Sequence, residues 1–414
     1  MRINLRKLSF GSIALYFIMF LVVLSTNSVL HAKYFMEVLL AETFVLFLCA
    51  FVMAMYVSQK TVIQTDTINV FFIAIYYLMA VLYTGLRMNG SNLCIFILLF
   101  IIPIEYIIIN YVKSINKFQQ MMKALYYVIM TIAVIALFFW IFGSVLHWIQ
   151  PTGETEFVWG IKRKVPDYYK IYFEAQNFEL KIGGIDFSRR NCAMFVEAPM
   201  SNYIFCVGLI LAEFYVQNVK FRSKVILIMA ILSTLTTTGF TFLTIYLIYK
   251  VLRIKKNGRF LTIIKIVLFI FGAVFAFYMV SGLIEAKLDT GSGIVRSRKI
   301  AEEMSAFKNN ILIGNGFNTH TNGSSNAFSA VLADGGLLLG TLYWFPMVCC
   351  LIYSIFKKNV DYSKILYMML MLMVACQYTT INGIFCVIAW QEFFGYIRKA
   401  GHSKKYDNSN TSYI

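Results

Sequence analysis

Residues 220–259 read KFRSKVILIMAILSTLTTTGFTFLTIYLIYKVLRIKKNGR, and this stretch decides how the chain is built. An apolar run, Val225–Leu252, is closed at both ends by basic residues. Lys220, Arg222 and Lys224 precede it; Arg253, Lys255, Lys256 and Arg259 follow it. Basic flanks stay on the cytoplasmic side of a membrane, so both ends belong on one side and the run folds back on itself. Thr236-Thr237-Thr238-Gly239 marks the break. Residues 365–397 repeat the design, with Lys364 before, Arg398 and Lys399 after, and a break between Gln377 and Gly383. The limbs of both hairpins are short, so they thin the bilayer or stop short of its far side.

Working outward, single apolar spans are predicted at about 10–30, 35–57, 68–86, 93–112, 124–147, 191–217, 260–282 and 326–356. Each approaches the ~20 residues that cross a ~30 Å hydrocarbon core. With the two hairpins this predicts an all-α polytopic membrane protein of about twelve transmembrane helices, both termini cytoplasmic. One membrane domain is expected over 1–400, with extracytoplasmic loops at about 148–190 and 283–326 and a cytoplasmic tail at 401–414. Gly11–Leu30 is too long for a cleaved signal peptide, and no small-residue cleavage site follows it.

Composition agrees. Of 414 residues 59% are hydrophobic and only 14% charged, with a mean hydropathy of +0.71, which excludes an ordinary soluble domain. Most of the 37 Lys and Arg fall in segments placed inside. The net charge of +17 therefore reflects orientation and contact with an anionic leaflet rather than nucleic-acid binding. The eight cysteines lie in apolar segments without Cys-x-x-Cys spacing, which argues against a metal site or a disulfide framework.

The first long loop, Trp148–Arg190, mixes Glu154, Glu156, Lys162, Arg163, Lys164 and Asp167 with Trp159, Tyr168, Tyr169 and Tyr172. A loop this long either works or is disordered, and the aromatics argue for order. They read as interface anchors or as platforms for sugar stacking. The loop ends in Arg189-Arg190, which either snorkel to the interface or grip a diphosphate with their planar forks. Glu197, with Pro199 after it, reads either as an acid two turns inside the membrane, a functional candidate by position, or as a partner that pairs with an arginine and holds it in place.

In the second loop, Asp289-Thr290-Gly291-Ser292-Gly293 signals a helix start, and Ile294–Asn310 reads as an amphipathic helix. Arg296, Lys299 and Glu303 share a face, and Arg298 and Glu302 form an i,i+4 pair. The helix is either a solvated interfacial one or the carrier of an anion site at Arg296. Gly314-Asn315-Gly316 allows a tight turn whose amides face a phosphate. His320 then precedes Ser324-Ser325-Asn326. Of the four histidines, only His320 sits beside Arg, Gly and Asn, which makes it the candidate base.

These motifs, in this order, resemble the O-antigen polymerase and ligase family, the Wzy-type glycosyltransferases of bacterial surface-polysaccharide assembly. The resemblance covers about 185–345 by motif and the whole chain by topology. Arg190, Ala193, Phe195, Glu197 and Pro199 match the family's earlier motif. Arg296, then Gly314-Asn315-Gly316, Ser325-Asn326, Gly336 and a displaced Gly340 match the later one. The resemblance implies polymerisation of undecaprenyl-diphosphate-linked glycans at the extracytoplasmic face of the bacterial cytoplasmic membrane, without metal or cofactor. Beyond the lipid-linked substrates and the membrane, it implies a chain-length regulator and a flippase as partners. Carried over by position, Arg190 and Arg296 are catalytic, and Glu197, Gly314, Gly316 and Asn326 bind substrate; His320, five residues before the family's histidine position, is the nearest substitute as catalytic base, and the neighbouring Arg189 and Arg298 are read as further substrate-binding residues. Ser325 stands where ligases carry histidine, and Thr237-Thr238 replaces a common Ser-Arg; the first departure favours polymerase over ligase. Two readings of other classes compete: a flippase or secondary transporter, and a structural partner of assembly enzymes.

Overall fold

The structure, a computed structural model, describes residues 10–60, 74–75, 78, 103–113, 115–159, 161–176, 181–182, 185–186, 189–253, 291–316, 319, 327–356, 361–373, 381 and 383–395. The span expected at 260–282, all but three residues of that at 68–86, half of that at 93–112, His320, Ser325, Asn326 and the 401–414 tail lie outside them. The described chain is mostly helical. Three of its helices are long and apolar enough to cross a membrane: Phe118–Val145, Ala198–Tyr215 and Phe328–Ser354. Shorter apolar helices cover Ala14–Leu24, Leu40–Ala50, Thr237–Leu252 and Gly383–Gly395.

The chain divides into two compact units: Met1–Val45 with Val112–Lys299, and Leu46–Tyr111 with Ile300–Ile414. In the first, α1 (Phe10–Leu24) ends sooner than its apolar run. The hydroxyls of Ser25 and Thr26 both turn back to the Val22 carbonyl, and Asn27 takes a positive φ of 54°. Ser28 then caps the short α2 (Val29–Lys33), accepting from the His31 amide. Helix α3 (Phe35–Lys60) starts in this unit and runs on into the other.

Helix α5 (Phe118–Phe139; α4 is residues 103–113) continues through a π-helical turn, Trp140–Val145. It buries Met122, Ile129, Ala133 and Ala136, while Val134, Phe138 and Ile141 stay exposed on another stripe. An exposed apolar stripe on a helix of this length fits a lipid-facing surface. Helix α6 (Ala198–Ile210, with a π-helical turn at Leu211–Tyr215) is buried on nearly every side. Gly208 lets it close on α5: a Cβ there would sit 2.7 Å from Ile129. Between lipid-soluble helices, close backbone approach of this kind drives association more than apolar burial does.

Helices α7 (Phe221–Ser233) and α8 (Thr237–Leu252) are the limbs of the first expected hairpin. The break falls where the threonines are: Leu235 takes φ 49°, and the Thr236 hydroxyl caps α8 by accepting from the Gly239 amide. Both outer ends meet on one carboxylate. Glu213 accepts from Lys224 at 2.6 Å, before the first limb's apolar run, and from Lys250 at 2.5 Å, at the second limb's end. The hydroxyls of Tyr246 and Tyr249 complete the cluster. A carboxylate this buried is tolerable because every oxygen is paired. The two outer ends of the limbs, at Lys224 and Lys250, therefore lie together; Lys255, Lys256 and Arg259 of the second flank lie outside the described residues.

The first long loop contains sheet, which an all-α reading leaves out. Strands β1 (Gly153–Trp159), β2 (Ile161–Tyr168) and β3 (Tyr172–Phe173) form an antiparallel sheet in that order, and β4 (Lys181–Ile182) pairs with β5 (Ile185–Asp186). The mixed charges are its outward face: Glu156 pairs with Lys162, and Glu154 with Lys164. Thr155, Phe157, Val165 and Asp167 alternate with them and are buried. A period of two is the strand signature, and the burial of β2 follows it from Lys162 to Asp167. Tyr168 and Tyr172 pack on Phe139, ring centroids 5.6 and 6.1 Å away. Gly143 has no room for a Cβ, which would lie 2.8 Å from the Tyr168 ring. The sheet is thus seated on the end of α5.

In the second unit the expected second hairpin appears as α11 (Tyr362–Met373) and α12 (Gly383–Gly395). Its outer ends also meet, since Lys364 bonds Glu392. The break lies outside the described residues except at Ile381 and Gly383. Helix α10 (Ala327–Phe356) is broken at Gly336, with φ 58° and ψ −152°. The chain end of α9 (Gly291–Asn309) and the turn after it fill the break. The Leu337 and Leu338 amides donate to the Ile311 and Leu312 carbonyls, and the Ala333 and Asp334 carbonyls accept from the Asn315 and Gly316 amides.

Candidate functional site

The residues from Glu174 to Glu197 converge where α6 begins. Asn191, fully buried, fixes the chain there. Its amide and side chain donate to the Ser233 carbonyl and hydroxyl at 3.1 and 2.8 Å. Its side-chain oxygen accepts from the Ala193 amide, and its carbonyl accepts from the Ser201 hydroxyl. The α7–α8 tip is thereby attached to the mouth of α6; Asn202 adds a bond to the Thr238 hydroxyl at 3.2 Å. From the other side, Val29 and Val196 exchange backbone bonds with Met194 and Asn27.

Arg189 and Arg190 stand at this junction, each partly exposed. The Arg189 carbonyl accepts from the Trp140 indole at 3.0 Å. Its guanidinium lies 3.4 Å from Glu174, whose carboxylate is nearly buried. The other Glu174 oxygen accepts from the Ser144 and Tyr168 hydroxyls, both at 2.8 Å, and Ser144 also bonds Tyr172. Burial, then the Glu174 carboxylate, raise the Tyr168 phenol above its usual range, so it stays a donor. Glu174 is thus a positioned counter-ion, and Arg189 cannot snorkel freely.

Arg190 donates its amide to the Gln176 carbonyl. Its charge acts on Cys192, whose thiol burial pushes up to about 12 while Arg190 opposes the rise and Glu197 adds to it. A buried neutral thiol of this kind is not a nucleophile.

Glu197 requires a correction. It is not an acid two turns into a membrane helix, because residues 191–197 are not helical. The helix starts at Ala198, directly after Glu197, with Pro199 in its first turn, and the span expected at 191–217 runs Ala198–Tyr215. Glu197 sits at the mouth, its Oε1 3.6 Å from Nη2 of Arg163.

Gly314 and Gly316 also require a correction. Their amides do not face an open anion site: they donate to the Asn310 and Asp334 carbonyls at 2.8 and 3.0 Å. The glycines are needed for close approach. Gly314 has φ 71°, and a Cβ on it would meet the Asp334 carbonyl oxygen at 2.3 Å. Arg296 lies on α9, and Arg298 and Glu302 on the same helix are exposed. Glu303, one turn after Lys299 on this helix, is fully buried and accepts from the Ser329 hydroxyl at 2.5 Å. Asp334 is fully buried too and accepts from the Thr319 hydroxyl. Among the described residues, no three His, Cys, Asp or Glu are placed to hold a metal ion.

Sequence reasoning misses Glu174, Asn191 and Ser144, which carry no local signal. Arg163 was within reach: strand alternation sets it opposite to Lys162 and Lys164. No protein-family model, no curated protein and no solved structure matches this chain.

Proposed function

We propose that this protein is a metal-independent membrane glycosyltransferase that polymerises undecaprenyl-diphosphate-linked repeat units into surface polysaccharide. On this reading it sits in the bacterial cytoplasmic membrane with both termini inside, and acts on the outer face. One observation carries the proposal: two adjacent arginines at the mouth of α6, with Arg189 oriented by the buried Glu174, at the junction of an ordered loop, a membrane helix and a hairpin tip. A hydroxyl of one lipid-linked glycan attacks the anomeric carbon of another, and the lipid diphosphate departs. The reaction needs charge stabilised on that leaving group, and preorganised guanidinium groups supply it. Arg190 and Arg189 are assigned this role together with Arg296 of the second loop, with Arg298 and Asn326 as further substrate contacts. His320 is assigned as the base that takes the hydroxyl proton.

The test is incubation of purified protein with its lipid-linked repeat unit, read as a ladder on a gel. Arg190→Ala and Arg296→Ala abolish the ladder, and Arg→Lys restores little because lysine lacks the fork. A normal ladder in both alanine variants overturns the reading.

A second reading, transport of the lipid-linked glycan, is favoured by the broken α10. Discontinuous helices with buried acids such as Asp334 and Glu303 occur at transporter sites. A deletion strain separates the two: single repeats on the cell surface mean a missing polymerase, and loss of export means a missing transporter.

A further inference from the structure

We propose that Arg163 is a third guanidinium of the anion site at the mouth of α6, and that Glu197 is its resting counter-ion, displaced when a lipid diphosphate binds. The inference rests on the reading of this site as one that handles a lipid diphosphate.

Its basis is the register of the β1–β2 hairpin. Lys162 and Lys164 point outward, more than half exposed, and pair with Glu156 and Glu154 of the neighbouring strand. Arg163 lies between them, opposite Phe157 in the ladder, and so faces the other way with Phe157 and Val165. Of its side chain 27% is exposed. Of the strand's cations it alone is delivered to the bundle, and what it meets there is Glu197. Glu197 stands at the cap position of α6 yet makes no capping bond. The Ala198 amide is taken by the Gln176 side chain instead. The carboxylate is left turned to Arg163 at 3.6 Å, longer than a charge-assisted hydrogen bond, with 21% of it exposed. Gln176 accepts from the Arg190 amide with its carbonyl and from the Ala198 amide with its side chain, which places the Arg190 backbone beside the Glu197–Ala198 junction.

A loose, solvent-touching ion pair beside a second arginine is a poor strut and a good placeholder. While the site is empty, the carboxylate limits repulsion between the guanidinium groups. A diphosphate brings more charge and more acceptor oxygens than one carboxylate, and it competes for the same forks. The loop then has a purpose beyond anchoring: it carries a phosphate ligand on a rigid strand.

The experiment uses full-length protein in detergent and measures its affinity for undecaprenyl diphosphate in micelles, with thermal midpoints as a control on folding. Arg163→Ala is expected to weaken binding about tenfold, as loss of one charge-assisted contact does, and Arg163→Lys to recover little of it. Glu197→Gln is expected to tighten binding severalfold while leaving the midpoint within a few degrees. A structural strut predicts otherwise: both variants lower the midpoint, and neither tightens binding. Wild-type affinity in Arg163→Ala, or weaker binding in Glu197→Gln, overturns the proposal. If Arg190→Ala loses binding while Arg163→Ala does not, this inference fails and the proposed function stands. If Arg190→Ala also binds normally, both fail.

Discussion

Gly336 shows how much a single position can decide. Its φ of 58° with ψ −152° is a backbone region open to glycine almost alone, and a Cβ would stand 2.6 Å from the Ile311 carbonyl oxygen. Both obstacles are backbone, so no side-chain rearrangement relieves them. Gly336→Ala is expected to cost several kcal/mol, on the scale of a strained residue plus lost backbone bonds. Loss of monodisperse protein after detergent extraction would report it; a variant with the wild-type melting point would mean that the break is not built as described. His31 gives a pH-dependent counterpart. Burial pushes its imidazole down to about 4, against about 6.5 in the unfolded chain. The neutral form is favoured by folding, so its contribution is intact above pH 6.5 and is lost as pH falls from about 6.5 towards 4. The loss is on the order of 3 kcal/mol if nothing else moves. Melting midpoints of wild type and His31→Gln, followed from pH 7 to 4, should therefore converge.

At the scale of elements, the hairpin α7–α8 is held at both ends by polar groups. At one end Glu213 collects Lys224 and Lys250; at the other Asn191 holds Ser233. Glu213→Ala strands two cations, Lys224 being mostly buried, and should destabilise by about 2–4 kcal/mol; Glu213→Gln, which keeps acceptor capacity, should cost less. Equal melting points for wild type and Glu213→Ala would show that the cluster is not structural. Cysteine labelling tests the side assigned to each end. Substitutions at Thr238 and Asn382 are expected to react from outside the cell, those at Lys256 and Ser403 only after permeabilisation. Reaction of Thr238→Cys from the inside alone would remove the hairpin topology. The sheet of the first loop belongs to this scale too. Its order comes from strand alternation and from two tyrosines seated on Phe139, so the aromatics serve packing, and the sugar-stacking reading of Tyr168 and Tyr172 gives way to it.

At the scale of the whole molecule, hydropathy and charge placement carry most of the architecture, because the bilayer makes two strong demands. Backbone polar groups must be satisfied within each segment, and basic residues must stay on one side. Both are written locally, so the presence of apolar helices within 10–30, 124–147, 191–217 and 326–356, and the return of 225–252 on itself, are legible from hydropathy and charge, but their ends are not. Arg189-Arg190 is likewise visible as two cations at the edge of an apolar run. What the linear pattern does not contain is which polar group faces which. Glu174 approaches Arg189 across a loop, Arg163 reaches Glu197 from a strand, and the amides of Gly314 and Gly316 turn to the carbonyls of Asn310 and of Asp334 in the broken α10 instead of a ligand. Glu197 illustrates the limit. Apolar residues run unbroken through 192–196, so hydropathy extends the helix over them; Asn191, Ala193 at positive φ and Pro199 instead start it at Ala198. Hydropathy measures transfer into lipid one residue at a time. Hydrogen bonds and ion pairs join residues far apart in sequence, and only the folded chain brings Arg189 within 3.4 Å of Glu174 and Arg163 within 3.6 Å of Glu197.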